Sequence, residues 1–439
     1  MQHSYEGLDR LGGFTKGNLF TPLRHRDFRV LWLGMSVSLI GDGILLVAIA
    51  WESYVLWNAP AALSIVGIAM TIPTIAFLLL GGVVSDRHDR RVVMLLADGL
   101  RAAAVAVIAV LVFAGALRFW ELVALVALYS VGTAFFTPAF ESIVPQLLPA
   151  DELPAANSLD QFVRPVAMRL AGPVIGGALV AVGAGLAFAV DAVSFAASLA
   201  AVIAIPKLLP AAGAPLGSTR TALRQGFRFV RRRVWLWGTL VSAAIAYLVF
   251  MGPTEVLLPF VVKNDLHASA RTLGVVLAAG GVGAVGAAIF MGQRGHPRRD
   301  VTVMYATWTL ATLAVAGYGL ATAAWQLMVA CLVFNALEAA GTIVWATIKQ
   351  RHVPGSMLGR VSSLDWLISI GFLPLSFALT APVAAAVGAR ATLVGAALIG
   401  GAVTLGALFL PGMRSIEPAA QRDDSTVAES GPTAAASLR

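Results

Sequence analysis

Along this chain the apolar positions neither alternate nor form a narrow stripe; they fill long blocks separated by short polar turns. A helix that crosses a bilayer needs about 20 mostly apolar residues and satisfies its own backbone hydrogen bonds. Twelve blocks qualify, near 30–52, 61–84, 92–116, 119–141, 160–183, 185–206, 234–260, 270–292, 301–322, 325–347, 363–388 and 390–411. Most connections are very short, which predicts antiparallel hairpins. The pattern therefore predicts an all-α membrane protein with twelve transmembrane helices. Its polar stretches divide it into an N-terminal segment (1–29), a six-helix bundle (30–206), a linker (207–233), a second six-helix bundle (234–411) and a tail (412–439). The tail is polar and rich in Ala, Ser and Pro, and is expected to be disordered. In the linker, Leu223, Phe227 and Val230 recur at helical spacing, while Arg220, Arg224, Arg228 and Arg231 form another stripe. This predicts a basic amphipathic helix lying on the bilayer surface.

Composition agrees: 58% of the 439 residues are hydrophobic and 12% charged, against about 25% charged in soluble domains. The single cysteine, Cys331, excludes an intrachain disulfide and a cysteine cluster. The first twenty residues have no apolar core, so the first apolar block is expected to anchor the chain. A net charge of +8 would suit nucleic acid, but the placement of the charges argues against it. Arg24, Arg26, Arg29, Arg87, Arg90, Arg91, Lys207, Arg231, Arg232, Arg233, Arg294, Arg298, Arg299, Lys349, Arg351 and Arg360 fall on one side; Arg118, Lys263, Arg271 and Arg390 fall on the other. The positive-inside rule then places both termini in the cytoplasm and the chain in the cell membrane. Nine of the ten Trp lie near block ends, as in an aromatic belt.

The two halves repeat with an offset of 205 residues. It pairs Trp32 with Trp237, Trp120 with Trp325, Thr137 with Thr342, Pro149 with Pro354, and "NSLDQ" with "SSLDW". An offset of six helices preserves orientation, so the halves are related by an axis along the membrane normal, with a site expected between them near the midplane.

Two motifs refine this picture. "GGVVSDRHDRR" (81–91) holds Gly82, Asp86, Arg87, Arg90 and Arg91, with Asp89 before the basic pair. "GPVIGG" holds Gly172, Pro173, Gly176 and Gly177; its repeat positions are Phe377, Ala378, Ala381 and Pro382. Gly172 and Gly176 form a GxxxG, which lets another helix approach closely. The small-residue stretch 274–288 in block eight is the expected partner. Pro173 should bend the helix. The first motif resembles the signature loop of the major facilitator superfamily, and the second resembles the fifth-helix motif of its antiporters. "RDFRVLWLGMSVSLIGDGILLVAIAW" and "VPQLLPADELPAANSL" resemble the subgroup of enterobactin exporters and macrolide or tetracycline efflux pumps. The resemblance implies the major facilitator fold, alternating access, and a lock between Asp86 and the start of helix eleven. It also implies that helices one, four, seven and ten line the cavity.

Charge inside a membrane marks function by default. Asp42 lies about twelve residues into block one, ~16–18 Å deep at 1.5 Å per residue, and Glu338 is similarly deep in block ten. Both are candidates for proton coupling or substrate binding, with Asn335 one turn from Glu338. Their repeat partners are Tyr247 and Thr133. Arg169 either snorkels or faces the cavity. Asp98 and Arg101 are expected to pair. Asp160 and Asp365 are expected in capping boxes, and Glu52, Glu121, Asp191 and Glu255 are expected to be hydrated near the outer face. No enzyme or Walker motif is present, and the His spacing suits no metal. The expected function is export of drugs or hydrophobic small molecules driven by a proton gradient, without a cofactor, by a monomer in the bilayer. A siderophore or metabolite exporter is the alternative; a sensor or scaffold on the same fold is the rival class, disfavoured by the midplane acids.

Overall fold

The computed structural model describes residues 20–149, 152–206, 227–294, 297, 299–354 and, with short gaps, 361–417. The helices are α1 (Arg26–Leu56), α2 (Pro60–Arg87), α3 (Arg90–Phe113) and α4 (Phe119–Leu147). Next come α5, in three consecutive pieces (Leu153–Pro165, a π-helical Val166–Ala171, and Gly172–Val182), and α6 (Ala184–Ala204). The second half holds α7 (Val234–Phe260, with a π turn Val261–Asp265), α8 (Ala270–Arg294), α9 (Asp300–Ala314 and Ala316–Leu320), α10 (Ala324–His352), α11 (Leu373–Val387) and α12 (Ala389–Leu408). Among the described residues eleven spans are long and apolar enough to cross a membrane, and α11 is a shorter apolar helix. The fold is that of a multi-pass, all-α membrane protein.

Helix pairings carry the twofold symmetry implied by the repeat. α1 packs on α5 and α6, as α7 packs on α11 and α12; α3 packs on α4 and α6, as α9 packs on α10 and α12. Across the halves, α5 meets α8 and α2 meets α11, and the same operation exchanges these two seams. Local detail follows the offset too. Glu121 accepts the Arg118 backbone N–H at 2.9 Å, and Gln326 accepts that of Ala323 at 3.2 Å, each closing the first turn of its helix. Trp120 and Trp325, beside these caps, are 65% and 64% exposed.

The apolar cores are unevenly shared. At the end away from the basic loops, one core merges residues of both halves, among them Ile49, Tyr54, Phe188, Val256, Leu257, Leu273 and Tyr318. At the basic-loop end the cores separate. One belongs to the first half (Leu31, Met35, Met94, Ile143, Val202) and another to the second (Trp235, Tyr305, Trp345, Ile348). Tyr54 tightens the shared end by donating to the Val256 carbonyl at 2.5 Å. The two halves are thus joined at one end and parted at the other.

Three expectations change. Trp235 and Trp345 are 5% exposed and meet edge-to-face at 6.2 Å, so these two form core and not belt. The chain does not become irregular at 412: residues 411–416 continue as turns, Met413 is fully buried, and Glu417 accepts from Thr302 N at 2.6 Å. Apolar packing and this carboxylate hold the start of the predicted tail, and 418–439 lie outside the described residues. Of the linker helix, only the stretch from Phe227 onward is described; it is helical, with Val230 buried in the second-half core.

Candidate functional site

Four helices of the first half converge on Arg101. Its Nη1 donates to Asp98 at 3.0 Å, one helical turn away on α3. Its Nη2 donates to both Asp42 oxygens at 2.8 and 2.9 Å and to Tyr129 Oη at 3.0 Å. Tyr129, from α4, in turn donates to Asp42 Oδ1 at 2.6 Å. Ser198, from α6, donates to Asp98 Oδ2 at 2.6 Å. The rings of Tyr129, Phe136 and Phe195 lie 4.9, 5.4 and 4.5 Å from the guanidinium carbon, so aromatic faces hold the cation where water does not. Asp42 and Arg101 are 8% and 4% exposed. The remaining access is a cavity of about 230 Å³ lined by Asp42, Arg101, Tyr129, Thr133, Glu141 and Arg164, among others. Glu141 and Arg164 lie toward the basic-loop end, where the halves are apart. Asp42 is therefore no lone midplane acid: it is tied into a network that the cavity touches.

The second charged group bridges the halves. Arg169, on the π turn of α5, reaches Glu338 Oε2 at 3.8 Å and Asn335 Oδ1 at 3.4 Å, both on α10. Thr342 donates to Glu338 at 3.0 Å, and Glu255, on α7, is exposed and within Coulombic range of Arg169. Arg169 thus faces the opposite half and does not snorkel. Glu338 and Tyr247 share a small apolar cavity of about 40 Å³ with Phe250, Trp308 and Phe334. The repeat maps Asp42 and Thr133 of the first cavity onto Tyr247 and Glu338 of the second.

The GPVIGG segment presses on two helices, not one. An added Cβ on Gly172 would lie 2.6 Å from Gly43 Cα, and one on Gly176 2.9 Å from Ile44 Cα. The GxxxG partner is therefore α1, and the expectation of block eight is corrected. Gly177 does face α8, where a Cβ would lie 2.7 Å from Ala270 O and 2.9 Å from Gly274 Cα. Gly172 and Gly176 share one face at spacing four, and Gly177, one residue on, turns about 100° away from it. The Pro173 bend takes the form of a π turn: Gly172 N–H bonds to Ala167 O, five residues back. Such turns frequently mark functional positions, and this one carries Arg169. Gly281 of α8 abuts the Arg169 carbonyl, which Pro173 leaves without its usual helical donor.

The 81–91 loop stitches the first half together. Asp89 caps α3 by accepting from Arg91 N at 3.0 Å. Arg90 donates to Ser142 O at 2.9 Å, and Arg91 to Val202 O and Ile203 O at 2.8 and 2.5 Å. Arg91 so places its charge on the last carbonyls of α6, where the helix dipole favours a cation. Gly82 has open space beside it. The side chains of Asp86 and Arg87 lie outside the described residues, and with them the expected lock.

Other expectations fail for identifiable reasons. Asp191 is fully buried beside the Arg101 network, and Glu52 is 8% exposed; neither is hydrated. Glu121 caps a helix. Asp160 starts no helix, since α5 already begins at Leu153, and it pairs with Arg164 at 3.3 Å; residues 362, 363 and 366, on which a cap by Asp365 would rest, lie outside the described residues. Asp365 accepts from Trp345 Nε1 at 2.9 Å and from Lys349. The sequence reading missed Tyr129, Asp191 and the role of Arg101; the signal available was a cation twelve residues into an apolar helix.

Two bundles joined about charged groups at mid-depth, with access from one end, define a membrane transporter. A profile of the transmembrane secretion effector family matches residues 17–431, and the chain belongs to this family of the major facilitator superfamily. It is 24% identical over 359 residues to macrolide efflux protein A of Streptococcus pyogenes, covering 81% of this chain and 88% of the relative. It is 27% identical over 360 residues to the enterobactin exporter EntS of Citrobacter koseri, covering 79% and 82%. Among solved structures, the nucleoside transporter NupG aligns with TM-score 0.65 at 12% identity, covering 87% of this chain and 98% of NupG. A bacterial homologue of the iron transporter ferroportin, in an inward-facing state, aligns at 0.62 with 17% identity, covering 88% and 99%. The protein is an efflux-type transporter and not an enzyme.

Proposed function

We propose that the protein exports hydrophobic small molecules, drugs among them, in exchange for protons, with the termini and basic loops in the cytoplasm. The observation that supports this best is the Asp42–Arg101–Tyr129 network at the edge of a first-half cavity that extends to Glu141 and Arg164, toward the basic-loop end. A carboxylate so placed can take a proton from one side and, after the halves rock, give it to the other. Glu338, paired with Arg169 across the halves, is the second coupling candidate: a change in its charge alters the bridge itself. The likeness to both macrolide and enterobactin exporters supports the class of bulky organic substrates, with a siderophore or metabolite as the second reading. A single chain supplies both halves, so a monomer suffices.

Proteoliposomes with an imposed pH gradient test the reading, using a macrolide and a catecholate siderophore as probes. Gradient-driven flux of either one is expected in the wild type, with a large loss in Asp42→Asn and Glu338→Gln. Full flux in both variants would remove the coupling assignment, and no flux of any probe in the wild type would remove antiport.

A further inference from the structure

The Arg101 network leaves one group unexplained. Three carboxyls, Asp42 on α1, Asp98 on α3 and Asp191 on α6, surround one guanidinium, with Tyr129 of α4 as the remaining titratable neighbour. Asp42 receives Arg101 and Tyr129; Asp98 receives Arg101 and Ser198. Asp191 receives only Ser194 Oγ, at 3.3 Å, and its Oδ2 has no partner although it is fully buried. It is pressed against α1 next to Asp42: an added Cβ on Gly41 would run into Asp191 Oδ1 and Ser194 Oγ.

An ionised carboxylate held away from water costs several kcal/mol unless it is paired and hydrogen-bonded. Arg101 neutralises one charge, and its Nη donors go to Asp42, Asp98 and Tyr129, while its buried Nε has no partner. A third negative charge at Asp191 would share one cation with two carboxylates already hydrogen-bonded to it, and would receive only the Ser194 hydroxyl. A neutral carboxyl there costs far less.

We propose that Asp191 is a proton-binding site, holding its proton in this conformation beside the Arg101 network. The site lies behind Asp42 as seen from the cavity, so the proton is stored one layer deeper than the acid that water reaches. Gly41 makes the contact with α1 a bare backbone surface, and a shift of α1 during rocking changes what Asp191 faces. The purpose of this store rests on the proton-coupled reading above; its existence is tested without transport.

Infrared difference spectra of purified protein in lipid nanodiscs at neutral pH decide it. The carbonyl stretch of a protonated carboxyl is expected in the wild type, lost in Asp191→Asn, retained in Asp42→Asn and Asp98→Asn, and present but shifted in Asp191→Glu. The last variant keeps the test valid if Asp191→Asn folds poorly. A band unchanged in Asp191→Asn and unshifted in Asp191→Glu would overturn the proposal. So would a band abolished by sodium chloride, which would give the site to a metal cation. A wild type that shows the band yet ignores a pH gradient would sink antiport and leave the proton site standing.

Discussion

At the scale of single residues, Arg101 organises more of the site than any other side chain. Removing one partner of a buried ion pair costs about 3–5 kcal/mol, because the remaining charge is left uncompensated. Arg101→Ala, which strands Asp42 and Asp98, is expected to lower thermal stability in detergent by an amount of that order. Arg101→Lys is expected to rescue only part, since an ammonium is a point charge and cannot fork between two carboxylates. A melting curve for Arg101→Ala matching the wild type would show that the pair does not hold the bundle. The chemistry was legible in the sequence only in part. Asp42 was visible as a deep acid, and Asp98 with Arg101 as neighbours on one turn. That the three form one network was not visible, because α1 is apolar around its whole circumference. Such a helix does not announce which face meets α3.

At the scale of elements, α5 shows how a motif is legible while its geometry is not. The glycines announced close contact, and the contact is there. The expected partner was half right: the small-residue stripe of α8 does meet α5 backbone to backbone at Pro173 and Gly177, but the GxxxG face itself turns to α1. This division predicts different outcomes for neighbouring substitutions. Gly172→Val drives a side chain into Gly43 inside one half, and overpacking of this kind typically costs about 1–3 kcal/mol. It is expected to lower the melting temperature of the protein. Gly177→Val meets the other half instead, so its expected effect is on the seam between halves. It should speed thiol labelling of a cysteine placed at Val256, a fully buried position in the core shared by both halves. Equal labelling rates with and without Gly177→Val would place the seam elsewhere.

At the scale of the whole molecule, what matters is how little separates the joined end from the parted one. The repeat makes the two halves near-equivalent bodies, and on the proposed alternating-access reading rocking exchanges which of their ends touch. A rocking transporter needs its two states within a few kcal/mol of each other, so single contacts at the joined end carry weight. The Tyr54 hydroxyl and Val256 carbonyl form such a contact, 202 residues apart and fully buried. A hydrogen bond of this type contributes about 0.5–1.5 kcal/mol net. Tyr54→Phe removes it and keeps the ring packed on Phe260, whose centroid is 5.5 Å away. The population opened at that end is then expected to rise about two- to twelve-fold. The labelling rate of the Val256→Cys thiol, applied from the side opposite the basic loops, reads this directly. The direction matters as much as the size, because loss of a contact that merely stabilised the fold would speed labelling from both sides. A one-sided rise assigns Tyr54 to the closed end of an alternating-access cycle, and an unchanged rate means that the apolar core alone holds this end shut.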